Sequence, residues 1–341
     1  MSMDEHSHTL AKRHQPARWI QRLRLALHYG DRPWNALTIG MASLTLILII
    51  SIGVLLWVNS SQARSALGLG FLLPNSNAAW DPVKGNFQAW PFIYGTLITS
   101  FAALVLAVPV SLAVAIFLAE LCPPWLRMPL GWLFELLAAI PSVVFGLWGI
   151  FVFLPNIVTP LGNFLSSTLG NVPLLNIFLH GSIPTSGSSL LAAALVLAIM
   201  ITPTISAITR DVFLAIPTAQ REASLALGAT RWEMIWKVLL PYGLSGILGA
   251  VILGLGRALG ETMAVTMVVG NSIAGSLSLL SPGYTMSSII ANEFAEAVTV
   301  LHSQALVEVG LLLFIMTLLL NILARLLVWR VGRGTAREVR V

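Results

Sequence analysis

Two ionisable side chains, Arg257 and Glu261, followed by Thr262, stand inside an apolar run that extends from residue 244 to 270. A charge near the centre of a bilayer costs at least about 2.5 to 3.5 kcal/mol on insertion scales, so each needs a partner and marks a candidate site. Glu261 follows Arg257 by one helical turn, so an unbroken helix would bring the two together on one face. Gly254, Gly256 and Gly260 surround them, and the step from Gly256 to Gly260 is a small-xxx-small spacing that lets a second helix come close. A guanidinium is planar, permanently charged and matched to two oxygens of a tetrahedral oxyanion. The expectation is that Arg257 meets such an anion in transit. Glu261 would hold the arginine while the path is empty, or accept a hydrogen bond from a protonated anion oxygen, and it would repel an anion without a proton, such as sulfate. The alternative is a pair that only locks two helices together.

The elements that position these residues are membrane spans. With 57% hydrophobic residues, 10% charged and a mean hydropathy of +0.85, the chain has too much apolar surface for a soluble globule. Six runs are long enough to cross about 30 Å of hydrocarbon as helices. They lie at 36–58, 93–119, 131–154, 190–209, 244–270 and 306–329. Pro109, Pro141 and Pro203 fall inside them, which implies helices facing a bundle interior where neighbours satisfy the freed carbonyls. Lys12, Arg13, Arg18, Arg22, Arg24 and Arg32 precede the first span, and Arg127, Arg210, Arg221, Arg231, Lys237 and five arginines from Arg325 onward lie on the same side; the other side holds only Arg64 and Lys84. This asymmetry puts both termini in the cytoplasm. Glu135 and Glu308 sit at membrane boundaries, where snorkelling or interface hydrogen bonding accounts for them, and Arg325 and Trp329 read as interface anchors.

The loop between the fourth and fifth spans carries a second pattern. Thr218, after Pro217, can cap a short helix to Leu227, and Gly228 stands where a helix end tolerates positive φ. Thr230 with Glu233 forms a capping box for a second helix ending before Pro241. Arg221, Glu222, Ala223 and Ser224, then Gly228, nine residues, and Val238-Leu239-Leu240-Pro241 resemble the Glu-Ala-Ala, Gly, Ile-x-Leu-Pro signature of permease subunits of ATP-binding-cassette importers, with Ser224 and Val238 as conservative departures. Arg257-Ala258-Leu259-Gly260-Glu261-Thr262-Met263-Ala264-Val265 resembles the phosphate-specific branch, and its PstC-type rather than PstA-type subunits. Trp80-Asp81-Pro82, Tyr94-Gly95-Thr96-Leu97, Pro141-Ser142-Val143-Val144, Gly146-Leu147-Trp148-Gly149 and Ala291-Asn292-Glu293-Phe294-Ala295-Glu296 carry the same likeness.

The resemblance implies an all-α, polytopic inner-membrane permease of the type I importer fold, with six transmembrane helices. It implies a cytoplasmic tail at 1–35, a first helix at 36–58 with a periplasmic loop to 92, a permease core at 93–329 with its coupling loop at 210–243, and a cytoplasmic tail at 330–341. The coupling residues would be Arg221, Glu222, Ala223, Ser224, Gly228 and Pro241. Implied partners are a second, PstA-like permease, an ATPase subunit dimer, a periplasmic phosphate-binding protein and membrane lipid, with no nucleic acid. The chain has no G-x-x-x-x-G-K-[ST] phosphate loop, so ATP and Mg are expected on the ATPase partner and no cofactor or catalysis here. His6, His8 and His14 lack fixed metal geometry, and the lone Cys122 cannot form a disulfide within the chain. The outer loops, rich in Gly, Ser, Asn and Pro, also hold Trp80, Phe87, Trp90, Leu279 and Leu280 and are expected to fold as packed structure that receives the binding protein. Another cargo, sulfate or molybdate, stays open, as does a stand-alone secondary transporter.

Overall fold

The computed structural model describes residues 31–73, 80–170, 172, 176–273 and 276–338, without the side chains of 31–33 and 331–338; the amino-terminal histidines lie outside the described residues. Residues up to Leu55 form one compact unit and residues from Leu56 onward another. The first contains most of helix α1, Asp31–Asn59, so helix already begins within the stretch expected as a tail. Helix α2 is Ser61–Leu67 and α3 is Trp90–Leu121. They are followed by α4, Pro124–Ala139, and α5, Ser142–Leu169. Next come α6, Leu190–Ala215, α7, Thr218–Ala226, and α8, Arg231–Gly260. The chain closes with α9, Met263–Val268, α10, Met286–Glu293, and α11, Val300–Glu338. Among the described residues six helices are long and apolar enough to span a membrane, and the extended structure consists of two isolated bridges, Asp81 with Asn86 and Gly270 with Gly283.

Helix α6 is the hub. Ser189 caps it by accepting from the Ala192 amide at 3.1 Å. Its run of Ala192, Ala193 and Ala194, all buried, lets neighbours approach its backbone closely. Helix α8 does so through small residues of its own. A Cβ on Gly254 would stand 2.7 Å from Ile205, one on Gly246 2.5 Å from Val212 and one on Gly243 3.2 Å from Phe213, while Ala250 and Ala258 are buried between them. Gly256 and Gly260 face open space, so within this chain the expected close step at those two glycines is not used and Gly254 takes the contact.

Several expected boundaries are corrected. The third span is Ser142–Leu169 rather than 131–154, because Pro141 drives Ile140 to extended ψ and ends α4 at Ala139. Of the three prolines expected to face the interior, Pro203 is buried within α6, whereas Pro109 and Pro141 lie on exposed sides of this chain. The fifth span stops at Gly260 instead of running to 270, and the last is Val300–Arg330, on a helix that continues to Glu338. Pro241 does not end a helix either. A π-helical widening at Ile235–Leu239 leads into it, and the wider turn relieves the clash that its ring would make with the preceding turn.

At the end of the bundle away from α7, the connecting loops fold as expected into packed structure. Trp80, Phe87, Phe92, Tyr284, Met286 and Leu306 share one core. Trp80 meets Phe87 and Phe92 edge to face at 4.8 and 5.1 Å, and its indole donates to Glu293 Oε2 at 2.6 Å. The same oxygen meets His302 Nε2 at 3.0 Å, and the imidazole stacks on Phe87. Trp80 and Tyr284 are therefore buried in this cap rather than presented outward, and burial raises the Tyr284 phenol above its ordinary pKa. Glu308, expected to snorkel, is buried and pairs with Arg64 at 3.5 Å, whose guanidinium stacks over Trp57.

Helix α3 seats this cap through Gly95 and Thr96. The Thr96 hydroxyl accepts from the Met286 amide at 2.8 Å, and a Cβ on Gly95 would overlap the Tyr284 carbonyl. A backbone carbonyl cannot move aside as a side-chain tip can. Gly95→Ala is therefore expected to lower the thermal unfolding midpoint of the detergent-solubilised protein by several degrees, while Gly256→Ala, which meets nothing in this chain, leaves it within a degree or two.

Candidate functional site

The hairpin between α6 and α8 is formed by short-range rules. Pro217 stops α6 and serves as the N-cap of α7, so the expected Thr218 cap is not made; Thr218 is the first helical residue. Gly228 reverses the chain at φ +85°, a backbone conformation that costs a residue with a Cβ. The Thr230–Glu233 capping box is present, with the Glu233 amide reaching Thr230 Oγ1 at 3.2 Å and the Thr230 amide reaching the carboxylate at 3.0 Å. Glu222, Ala223, Leu225 and Gly228 are exposed, Leu227 is 90% exposed, and Trp232 and Trp236 stand edge to face beyond them. Ser224 is half-buried and Pro241 is exposed at the start of the straight part of α8.

Arg221 turns the other way. Its Nε donates to Glu120 at 2.8 Å, and its two terminal nitrogens donate to the carbonyls of Ile216 and Phe213. Ile216 is the C-cap of α6, and the Phe213 carbonyl accepts from the Ile216 amide at 3.2 Å as well as from Arg221. Glu120 belongs to the π-helical last turn of α3. One guanidinium thus binds α7 to the ends of two spans, and Arg221 is a strut behind the exposed face rather than part of it.

The intramembrane site is arranged differently from the expected pair. Helix α8 breaks at Glu261–Thr262, and among the described residues no ion pair joins Arg257 to Glu261. Glu261 instead caps α9, its Oε1 accepting from the Ala264 amide at 3.3 Å, while its carbonyl accepts from the Ser287 hydroxyl at 2.8 Å. Thr262 Oγ1 donates to the Gly260 carbonyl at 3.2 Å and its own carbonyl accepts from Thr266. Arg257 Nη1 donates to Thr204 Oγ1 at 3.2 Å, and Nη2 approaches the Ala138 carbonyl at 3.5 Å. Ala138 lies in the last turn of α4, where Pro141 supplies no amide and carbonyls are left over; the negative end of that helix suits a cation. Only part of the guanidinium's five donors is spent, and the residue is half-buried rather than sealed. Thr204 and the α4 terminus were missed because a hydroxyl beside Pro203 and a carbonyl before Pro141 carry no charge pattern; the prolines themselves were the available signal.

With this geometry described, comparison with known proteins is informative. Residues 111–336 match the family described as binding-protein-dependent transport system inner membrane component. The chain belongs to that family. This permease is also 45% identical to a phosphate transport system permease protein PstC of Mesorhizobium japonicum, over 89% of its own length and 92% of the relative. It is 43% identical to PstC of Pasteurella multocida, over 92% of this chain and 97% of that one. A crystal structure of a bacterial ABC transporter involved in import of the acidic polysaccharide alginate shares the fold at a TM-score of 0.56 and 18% identity, over 89% of this chain and 98% of that one. This permease is accordingly a multi-pass inner-membrane transport subunit, not an enzyme. Arg221→Gln removes a strut without touching the exposed hairpin face. Amide hydrogen exchange across 217–228 is expected to quicken at least tenfold, with exchange in 190–205 unchanged.

Proposed function

We propose that this permease is the membrane subunit of an ATP-driven importer of inorganic phosphate. The observation that supports the reading most strongly is Arg257: a half-buried, incompletely satisfied guanidinium at the junction of α4, α6 and the α8 break, in a chain whose relatives are phosphate permeases. Helical breaks at membrane depth are tolerated where they line a cavity or are buried in protein, and discontinuous helices commonly surround transport sites. Phosphate would take the unspent donors of Arg257 as it passes. Thr204 and Ala138 would keep the guanidinium in place when no anion is there.

The remaining assignments follow the same reading. The basic residues put the hairpin and both termini in the cytoplasm, so Glu222, Ala223, Leu227 and Gly228 face an ATPase subunit dimer that carries ATP and Mg. A second, PstA-like permease completes the pathway, and a periplasmic phosphate-binding protein delivers cargo to the cap around Trp80 and Glu293. ATP-driven closure pulls the 218–240 hairpin. Arg221 passes that displacement to the ends of α3 and α6, and Arg257 sits where α6 meets the broken helices. Glu261 no longer needs to hold the arginine; its carboxylate contributes a negative charge beside the path while capping α9.

ATP-dependent uptake of radiolabelled phosphate by the reconstituted complex tests this. Arg257→Gln is expected to reduce uptake at least tenfold with ATPase assembly preserved, and undiminished uptake would remove the arginine from the cycle. Glu261→Gln keeps an amide oxygen to cap α9 but loses the charge. It is expected to preserve phosphate uptake and to narrow the preference for phosphate over sulfate, measured by competition.

A further inference from the structure

A second cationic site lies along α4 below Arg257, at the hairpin end of the bundle. Arg127, Gly131, Glu135 and Ala138 recur at near-helical intervals and share one face of α4. Eleven residues of helix separate Arg127 from Ala138, about 16 Å at 1.5 Å per residue. Between this face and the end of α6 is an open groove of about 380 Å³, whose lining includes Arg127, Met128, Gly131, Glu135, Arg210 and Leu214.

The groove contains unspent cationic donors. Among the described residues, Arg127 Nε is buried without a hydrogen-bond partner, and the rest of that guanidinium reaches only the Cys122 carbonyl, at 3.5 Å. Arg210 uses Nε and Nη2 on Asp211 and Glu135, at 3.0 to 3.4 Å. Its Nη1 lies against α4, only 2.8 Å from where a Cβ on Gly131 would be, so glycine is what admits the guanidinium. The side chains of Glu135 and Asp211 are 56% and 66% exposed, against 17% for Arg210. The carboxylates are therefore at the wet rim, where water and salt screen them, and the cations are within. Trp132, Met128 and Leu214 supply apolar walls.

We propose that this groove binds a phosphoryl oxyanion through Arg127 and Arg210. Two forked guanidiniums at one concavity match that chemistry better than a simple charged surface would. The anion has two sources: inorganic phosphate leaving Arg257 toward the hairpin end, which rests on the transport reading above, or the headgroup of an anionic phospholipid, which does not.

The test places a cysteine at Met128, an exposed groove residue, in the assembled transporter; Cys122 of this chain is buried and stays unreactive. Maleimide labelling of this chain is followed in detergent with inorganic phosphate added, and in phosphatidylcholine nanodiscs with or without phosphatidylglycerol. Labelling is expected to slow at least threefold with one of the two probes, and the slowing to vanish on Arg127→Gln or on Gly131→Ala, which displaces Arg210 without changing charge. Protection by inorganic phosphate assigns the site to the transport path, and protection by phosphatidylglycerol assigns it to lipid. No slowing by either probe, or slowing that survives both substitutions, overturns the site. Phosphate uptake by the same transporter reconstituted in sealed liposomes separates the two readings: uptake without protection sinks the groove alone, and lipid protection without uptake sinks the cargo alone.

Discussion

Satisfying backbone polar groups inside a medium without water is the constraint on which the rest of this structure depends. The helical ladder is interrupted at Ile140–Pro141, between α4 and α5, and at Glu261–Thr262, between α8 and α9, and each break leaves carbonyls or amides without helical partners. The chain closes them with side chains from other elements. Arg257 approaches the carbonyl that α4 leaves over, Ser287 donates to the Glu261 carbonyl, and Glu261 accepts from the first turn of α9. Irregular backbone is thus closed around Arg257 and Glu261. An arginine there has a structural reason to be buried and spare donors for an anion.

The same logic operates at the hairpin. Helix α6 ends at Ala215, and Arg221 donates to the carbonyls of Phe213 and Ile216 at that end while pairing with Glu120 at the end of α3. A short helix with no buried residue of its own would otherwise be held only by its two connections. Arg221 makes it a lever attached to the most buried span of the bundle. The exposed leucine and tryptophans of the hairpin stand apart from Arg221, which is turned toward the ends of α3 and α6.

Close helix contact supplies the rigidity between the two centres. Apolar residues gain little from facing one another rather than lipid, so approach distance and dispersion contacts decide which helices associate. Phe213, Val212 and Ile205 on α6 meet Gly243, Gly246 and Gly254 on α8 in this way. At the far end Gly95 admits a carbonyl of the cap, and Trp80, in the loop before α3, joins Glu293 at the end of α10 and His302 in the first turn of α11.

The sequence by itself determined what depends on composition and short-range geometry. Six apolar runs specify the spans, Gly228 the reversal of the hairpin and Thr230 with Glu233 its second cap, because each rests on residues within a few positions of one another. The likeness to importer permeases was legible for the same reason, since its motifs are local. Tertiary structure alone decided the partners. Arg257 and Glu261 have the spacing of a helical pair, yet the helix ends between them; Arg257 turns to Thr204 and Ala138, which lie 53 and 119 residues away in the chain. Arg221 looks like a surface cation in sequence and becomes a strut only when Glu120, 101 residues earlier, is folded against it. Spacing can state which side chains one helix could bring together. Where that helix breaks, and which distant carbonyl then lacks a donor, is settled by the packing of the whole bundle.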